Sequence, residues 1–317
     1  MESTQRNRTE DHDEVHNSVS IEKTLQQFMQ THHLPETFAA HARQWFLPLA
    51  DQIATHHQLA DRTLVVGING SQGSGKSTLA SLLSKILPQR DGLKVIDLSI
   101  DDFYLTHAQR QHLGKNIHPL LATRGVPGTH DTDLLRDTLR ALASDKGKAS
   151  IPRFDKARDD RAPSNEWPLI DTPVDLVILE GWCLGVGAQD EQQLHSASNA
   201  LEAQEDAQGV WRKYVNSELQ SRYLDLYDMV DVWIMLQAPS FDSVYQWRLE
   251  QEQKLAEKNR HKDARIMSPE QVQRFIQHYQ RLTEHALNTL PEQVNYLFKL
   301  NSQREIVELT HPTPVEL

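Results

Sequence analysis

The chain has one cysteine, Cys183, so no intrachain disulfide can form. That excludes a disulfide-stapled fold and fits a reducing compartment, with the cytoplasm as the expected location. No apolar run approaches the roughly 20 residues that a membrane helix needs. The opening stretch MESTQRNRTEDHDEVHNS has no apolar segment that would make it a secretory signal. Positive charge is scarce: 33 Lys and Arg stand against 44 Asp and Glu, a formal net charge of -11. A surface of that sign repels nucleic-acid phosphates and anionic lipid, so neither is expected as a partner. Internal repeats and low-complexity tracts are also missing. The 16 histidines do not make a zinc site by spacing, because His32-His33 and His56-His57 are neighbours rather than i, i+4 pairs.

What is there is room for one large domain or two ordinary ones among 317 residues. Residues 1–18 are polar and charged and are expected to form a flexible tail. From Ile21 to about Ala60 apolar residues recur at helical spacing (Ile21, Leu25 and Phe28, then Phe38, Ala42, Trp45 and Phe46), predicting a helical extension over 19–60 with a break near Pro35. Apolar runs at Thr63–Ile68, Leu93–Ile100, Asp175–Gly181, Asp231–Ala238 and, less strongly, Tyr296–Leu300 read as strands. Helical patterns separate them, at Ser77–Ile86 (ended by Pro88), Asp131–Ala143, Leu194–Tyr227 and Ser243–Lys258. Alternation of this kind predicts βαβ units: an α/β three-layer αβα sandwich on a mainly parallel sheet, spanning 61–317. The Pro-, Asp- and Arg-rich stretch from Arg153 to Thr172 reads as a loop.

The strongest motif is Gly70-Ser71-Gln72-Gly73-Ser74-Gly75-Lys76-Ser77, a complete GxxxxGK[ST] phosphate loop between a strand and a helix. Glycines let successive N–H groups turn inward around phosphates, and the helix that follows adds its positive N-terminal end. Lys76 is expected to reach the terminal phosphates of ATP, Ser77 to ligate Mg²⁺, and Thr78 to bond an inner phosphate. Phosphoryl transfer also needs carboxylates. Glu180 ends the strand LVIL, at the edge where open α/β sheets bind ligands, and is expected to organise the metal. Asp101-Asp102 follows the second strand at the same edge. Asp101 is the favoured base for the acceptor's proton and Asp102 the second choice.

The order GINGSQGSGKSTLA, SIDDFYLT and EGW resembles the P-loop kinases related to uridine kinase, phosphoribulokinase and pantothenate kinase. In that resemblance Asp101 of Asp101-Asp102-Phe103-Tyr104 takes the base position. The stretches RGVPGTHDTDLL, IPRFDKARDDRAP, ILEGWCLG, NALEAQEDAQGVWRKYVN and FDSVYQWRLEQEQKL are similar to the plant-type D-glycerate 3-kinase family, from about residue 60 to about 305. The resemblance implies that ATP and D-glycerate give 3-phosphoglycerate and ADP.

A small acid acceptor calls for cations and polar contacts. Arg153, Lys156 and Arg161 in the charged loop, with Tyr104, Thr106, Arg124 and His130, are the candidates. The cation-rich segment near 248–266 reads as a lid, with Arg248, Arg260 and Arg265 able to swing over phosphates. Gln303 and Arg304 are candidates for the adenine pocket. Cys183 reads as a packed small residue, and Trp182 as either a pocket wall or a cover for the sheet edge. Two other readings stay open: a kinase for a different acceptor (a nucleoside, a pantothenate-like acid or a sugar), and a nucleotide-dependent switch using the acidic insert Asp190–Asp206 and the N-terminal helices as its interaction surface.

Overall fold

The structure, a computed structural model, describes residues 20–258 and 267–317. The expected tail at 1–18, and Arg260 and Arg265 of the expected lid, lie outside the described residues.

The chain opens with helix α1 (residues 20–32) and then α2 (Thr37–His41), which widens into a π turn at Ala42–Phe46 and continues as α3 (Leu47–Ala60). Next come β1 (Leu64–Gly70), α4 (Lys76–Asp91), β2 (Val95–Ser99), α5 (His107–Asn116) and α6 (Thr132–Leu142). Four short strands follow, or are completed, before the next long one: β3 (Gly147–Ser150), β4 (Phe154–Asp155), β5 (Asp160–Arg161) and β6 (Leu169–Thr172). Then come β7 (Leu176–Gly181), α7 (Ala200–Glu205), α8 (Val210–Gln220), α9 (Arg222–Tyr227), β8 (Val232–Gln237), α10 (Phe241–Lys258), α11 (Pro269–Thr289), β9 (Tyr296–Leu300) and β10 (Ile306–Thr310).

Six strands form the main sheet in the order β10-β9-β8-β1-β7-β2. All pairs are parallel except β10 with β9. Strands buried on both faces read as continuous apolar runs, and every residue of β1 and β7 is buried. That is why these two were the clearest in the sequence. The register sets Ile68 and Ser99 beside Glu180, so the ends of β1, β2 and β7 meet at one edge. No described helix is long and apolar enough to cross a membrane.

The helices of 20–60 share one core with the sheet. Leu25, Phe28, Ala42, Leu49 and Ile53 are buried in it, and Phe46 meets Phe298 of β9 edge-on at 6.3 Å.

Several expectations need correction. Helix α4 does not stop at Pro88 but runs through it to Asp91. Proline forfeits one helical hydrogen bond, yet this last turn is held from outside: Arg90 reaches Asp51 of α3 at 2.5 Å, and Gly92 closes the end in a left-handed conformation. The stretch 153–172 is not all loop, because β4 pairs with β5 and β6 pairs with β3. Leu194–Tyr227 is not one helix. It breaks between Asp206 and Gly209 (φ 75°) and again at Ser221 (φ -121°, ψ -87°), giving α7, α8 and α9. Helices α5 and α11 and strand β10 add to the elements read from the pattern. The start of α11 did carry a signal: Ser268 and Gln271 form a capping box with Pro269 at the first position.

Candidate active site

The glycine-rich turn between β1 and α4 needs unusual backbone. Gly73 has φ 81° and Gly75 has φ 95°. A Cβ on Gly73 would also stand 2.8 Å from the Cβ of Trp247, so α10 closes directly over the turn. Trp247 is itself fixed, its indole donating to the Ser302 carbonyl at 2.7 Å. The turn leaves buried polar atoms without protein partners among the described residues: Ser71 Oγ, Gln72 Oε1 and Ser74 Oγ, with Glu180 Oε2 close by. Buried groups of this kind cost free energy unless something bonds them. Concentrated at a phosphate loop, they fit a nucleotide's phosphates and a divalent cation.

Glu180 ends β7 beside this turn. Its Oε1 accepts from Ser77 Oγ at 2.9 Å, and its Oε2 lies 3.8 Å from Lys76 Nζ. The serine, the lysine and the acid therefore converge. From them a cavity of about 460 Å³ extends across the sheet edge, lined by Gln72, Lys76, Ser77, Asp101, Tyr104, Arg124, Lys156, Asp159, Glu180, Trp182, Arg248, Gln251, Phe275 and Tyr279 among others. A volume of that size suits small-molecule sites, which run to roughly 300–1,000 Å³.

The two neighbouring aspartates part company. Asp101 lines the cavity. Its Oδ1 accepts from the Tyr104 hydroxyl at 2.9 Å, and its Oδ2 pairs with Lys156 Nζ at 2.7 Å. Burial alone would raise its pKa. The charge and hydrogen bond of Lys156, with help from Lys76 and His130, outweigh that and hold the carboxyl below its ordinary value. Asp102 turns the other way. Its Oδ1 accepts from the Phe154 N–H at 3.1 Å and its Oδ2 from Arg153 at 3.2 Å, so it anchors the start of the β4–β5 hairpin. Burial raises its pKa. Asp102 and Arg153 line a smaller adjoining pocket, of about 150 Å³, with Ser77 and Glu180.

Six other expected contact residues also sit away from the cavity's lining. His130 is buried behind Tyr104, stacked on it at 4.5 Å, and its Nδ1 meets the Tyr223 hydroxyl at 2.6 Å. Burial lowers its pKa to about 4, so it is a neutral wall. Arg161 is tied to the Tyr104 carbonyl and to Asp131, at 3.0 and 2.9 Å. Thr106 caps α5. Thr78 follows Ser77 on α4 outside the lining. Arg304 pairs with Glu250 and lies over the Trp247 ring, next to exposed Gln303.

Two arginines of the cavity, Arg124 and Arg248, are held in place. Arg124 pairs with Asp159 and lies over the Phe154 ring, 5.4 Å from its centre. Arg248 pairs with Glu252 and lies over Phe275. The Asp159 carboxyl is pushed up by burial but pulled lower by Arg124 and Arg110. Arg110 was missed from the sequence. It is fully buried and donates to three carbonyls, those of Leu105, Ala122 and Asp159. A lone arginine in the polar stretch HAQRQHLGKN gives no sign of burial. Phe275 and Tyr279 of α11 were missed as well. Trp182 proves to be a wall: it donates to the Gly125 carbonyl at 3.0 Å and meets Tyr279 edge-on. Cys183 is buried, which pushes its thiol pKa up. Within the acidic insert, Glu202 and Asp206 are buried and paired with Arg281 and Arg212, not presented to solvent.

Comparison with known proteins agrees with this geometry. Residues 65–251 match the phosphoribulokinase / uridine kinase family. The chain is 35% identical over 246 residues to the uncharacterized kinase mug58 of Schizosaccharomyces pombe, covering 74% of this chain and 84% of that one. It is 32% identical over 250 residues to the chloroplastic D-glycerate 3-kinase of Arabidopsis thaliana, covering 74% of this chain and 51% of the plant protein. A solved D-glycerate 3-kinase from Cryptococcus neoformans superposes with a TM-score of 0.68 at 30% identity, over 83% of this chain and 99% of that one. A phosphate loop at the end of the central parallel strand, a strand-end acid beside it and these likenesses lead to one conclusion: the chain belongs to the phosphoribulokinase / uridine kinase family of P-loop kinases and is an ATP-dependent phosphotransferase.

Proposed function

We propose that the chain transfers the γ-phosphoryl group of ATP to a hydroxyl of a small carboxylic acid, with D-glycerate as the acceptor and 3-phosphoglycerate and ADP as products. One observation carries this reading. Asp101 stands in the same cavity as Lys76, its carboxylate steadied by Tyr104, with Lys156 and Arg124 on the acceptor side. Lys76 orients the terminal phosphates. Ser77 Oγ and Glu180 would hold Mg²⁺, which would supply charge neutralisation at those phosphates. Asp101 takes the proton of the attacking hydroxyl. Arg124 and Lys156 supply the positive charge that a carboxylate-bearing acceptor requires. Trp182, Phe275 and Tyr279 wall the site against water. The plant and fungal D-glycerate 3-kinases of similar sequence support the choice of acceptor.

The test is ADP release with Mg-ATP and a panel of D-glycerate, L-glycerate, pantothenate, uridine and ribulose 5-phosphate. The expected result is stimulation by D-glycerate alone, with 3-phosphoglycerate identified as product. Stimulation by a different member of the panel, with none by D-glycerate, would refute the acceptor.

A further inference from the structure

Both oxygens of the candidate base already have partners. Tyr104 occupies Oδ1 and Lys156 occupies Oδ2, the ammonium at 2.7 Å. An ammonium at that distance lowers a carboxylate's affinity for a proton and fills a position that an acceptor hydroxyl would take. The two partners differ in how firmly they are held. Tyr104 is buried, stacked on His130 and edge-on to Phe154. The Lys156 side chain is 62% exposed and follows Asp155 at the tip of the β4–β5 hairpin, so it can turn without disturbing the core. Within the same cavity Arg124 keeps its guanidinium paired with Asp159 and packed on Phe154. Lys156 is thus the cation best able to change partners.

From this we infer that Lys156 is a specificity gate: the carboxylate of the acceptor draws its ammonium off Asp101 Oδ2, and only then can Asp101 accept the hydroxyl proton. The inference rests on the kinase reading of the cavity and adds a role to it. In the step that follows, the acceptor O–H bond breaks and its proton passes to Asp101. The oxygen's electron pair forms the new O–P bond. The bond from the γ-phosphorus to the bridging oxygen breaks, and ADP leaves with that electron pair. Without an acid in the cavity Lys156 stays on Asp101, and water is a poor substitute for the acceptor. Selection for a carboxylate is therefore applied at the chemical step as well as in binding.

The experiment compares wild type, Lys156→Met and Lys156→Arg by ADP release with no acceptor, with D-glycerate, and with glycerol, which keeps the hydroxyls and lacks the carboxylate. ATP binding, measured separately, confirms that each variant keeps its nucleotide site. In Lys156→Met, acceptor-free hydrolysis and glycerol turnover should both rise, by roughly three- to tenfold, because Asp101 Oδ2 is no longer occupied by the ammonium. D-Glycerate turnover should fall in the same variant, and Lys156→Arg should restore the low background. A static binding role would lower D-glycerate turnover and leave hydrolysis and glycerol unchanged, and that result would overturn the gate. If Lys156→Met hydrolyses ATP faster while wild type ignores D-glycerate, the gate stands and the choice of acceptor falls.

Discussion

Replacing Asp101 with Asn keeps the shape of the side chain and removes its negative charge. The Tyr104 hydroxyl can still donate to Oδ1, and the backbone N–H of residue 101 still reaches Ser99 Oγ. The loss is the ion pair with Lys156, whose side chain is mostly exposed. Such pairs contribute less than about 1 kcal/mol, so the variant should unfold close to the wild-type denaturant midpoint. None of the bonds of Asp101 goes to Gly70–Ser77. ATP affinity should therefore hold or rise slightly, because one negative charge near the phosphates is gone. Turnover should behave differently. A positioned general base contributes roughly 10²–10⁴-fold, which is about 3–5.5 kcal/mol of barrier. The checks are ATP titration by calorimetry and ADP release at saturating acceptor. Wild-type ATP affinity with turnover down at least about 100-fold supports the assignment. Turnover within about tenfold of wild type would remove Asp101 as the base, whatever its geometry.

Asp102→Asn should act mainly on the acceptor, because Asp102 holds Phe154 and Arg153; a rise in acceptor KM larger than the fall in kcat is the expected split. Glu202→Gln leaves the buried Arg281 guanidinium without its counter-charge and should cost about 3 kcal/mol, read as a lower urea midpoint. His130 takes up a proton near pH 6.5 when unfolded but only near pH 4 in the fold, where burial opposes the charge. Between those values the unfolded chain binds more protons, so stability falls as pH drops, by about 2 kcal/mol from 6.5 to 5. Urea unfolding at pH 7 and pH 5 measures the loss, and His130→Phe, which can keep a ring on Tyr104, should flatten it.

Much of the site was legible because its pieces are local. A phosphate loop is one contiguous stretch, and its glycines declare the backbone it needs. Glu180 could be placed because a buried parallel strand is a continuous apolar run with a visible end. The partition between Asp101 and Asp102 was not legible. Adjacent residues share every sequence signal, and their directions depend on a hairpin some 50 residues later: the Phe154 N–H and Arg153 take Asp102, and Lys156 takes Asp101. His130 and Arg161 were expected to meet the acceptor because their chemistry suits it. Packing instead made one a neutral wall and the other a brace on the Tyr104 carbonyl.

What the sequence by itself determined is the α/β order, the parallel core strands and the nucleotide loop, all set by short-range patterning of apolar residues and glycine. What only the tertiary structure decided is the far side of the cavity. Phe275 and Tyr279 arrive from α11, Arg110 is buried from α5, and Trp182 is turned inward by the Gly125 carbonyl. Those contacts join segments far apart in the chain. The free energy that fixes them, burial of aromatic rings and satisfaction of buried guanidinium groups, exists only once the layers have packed.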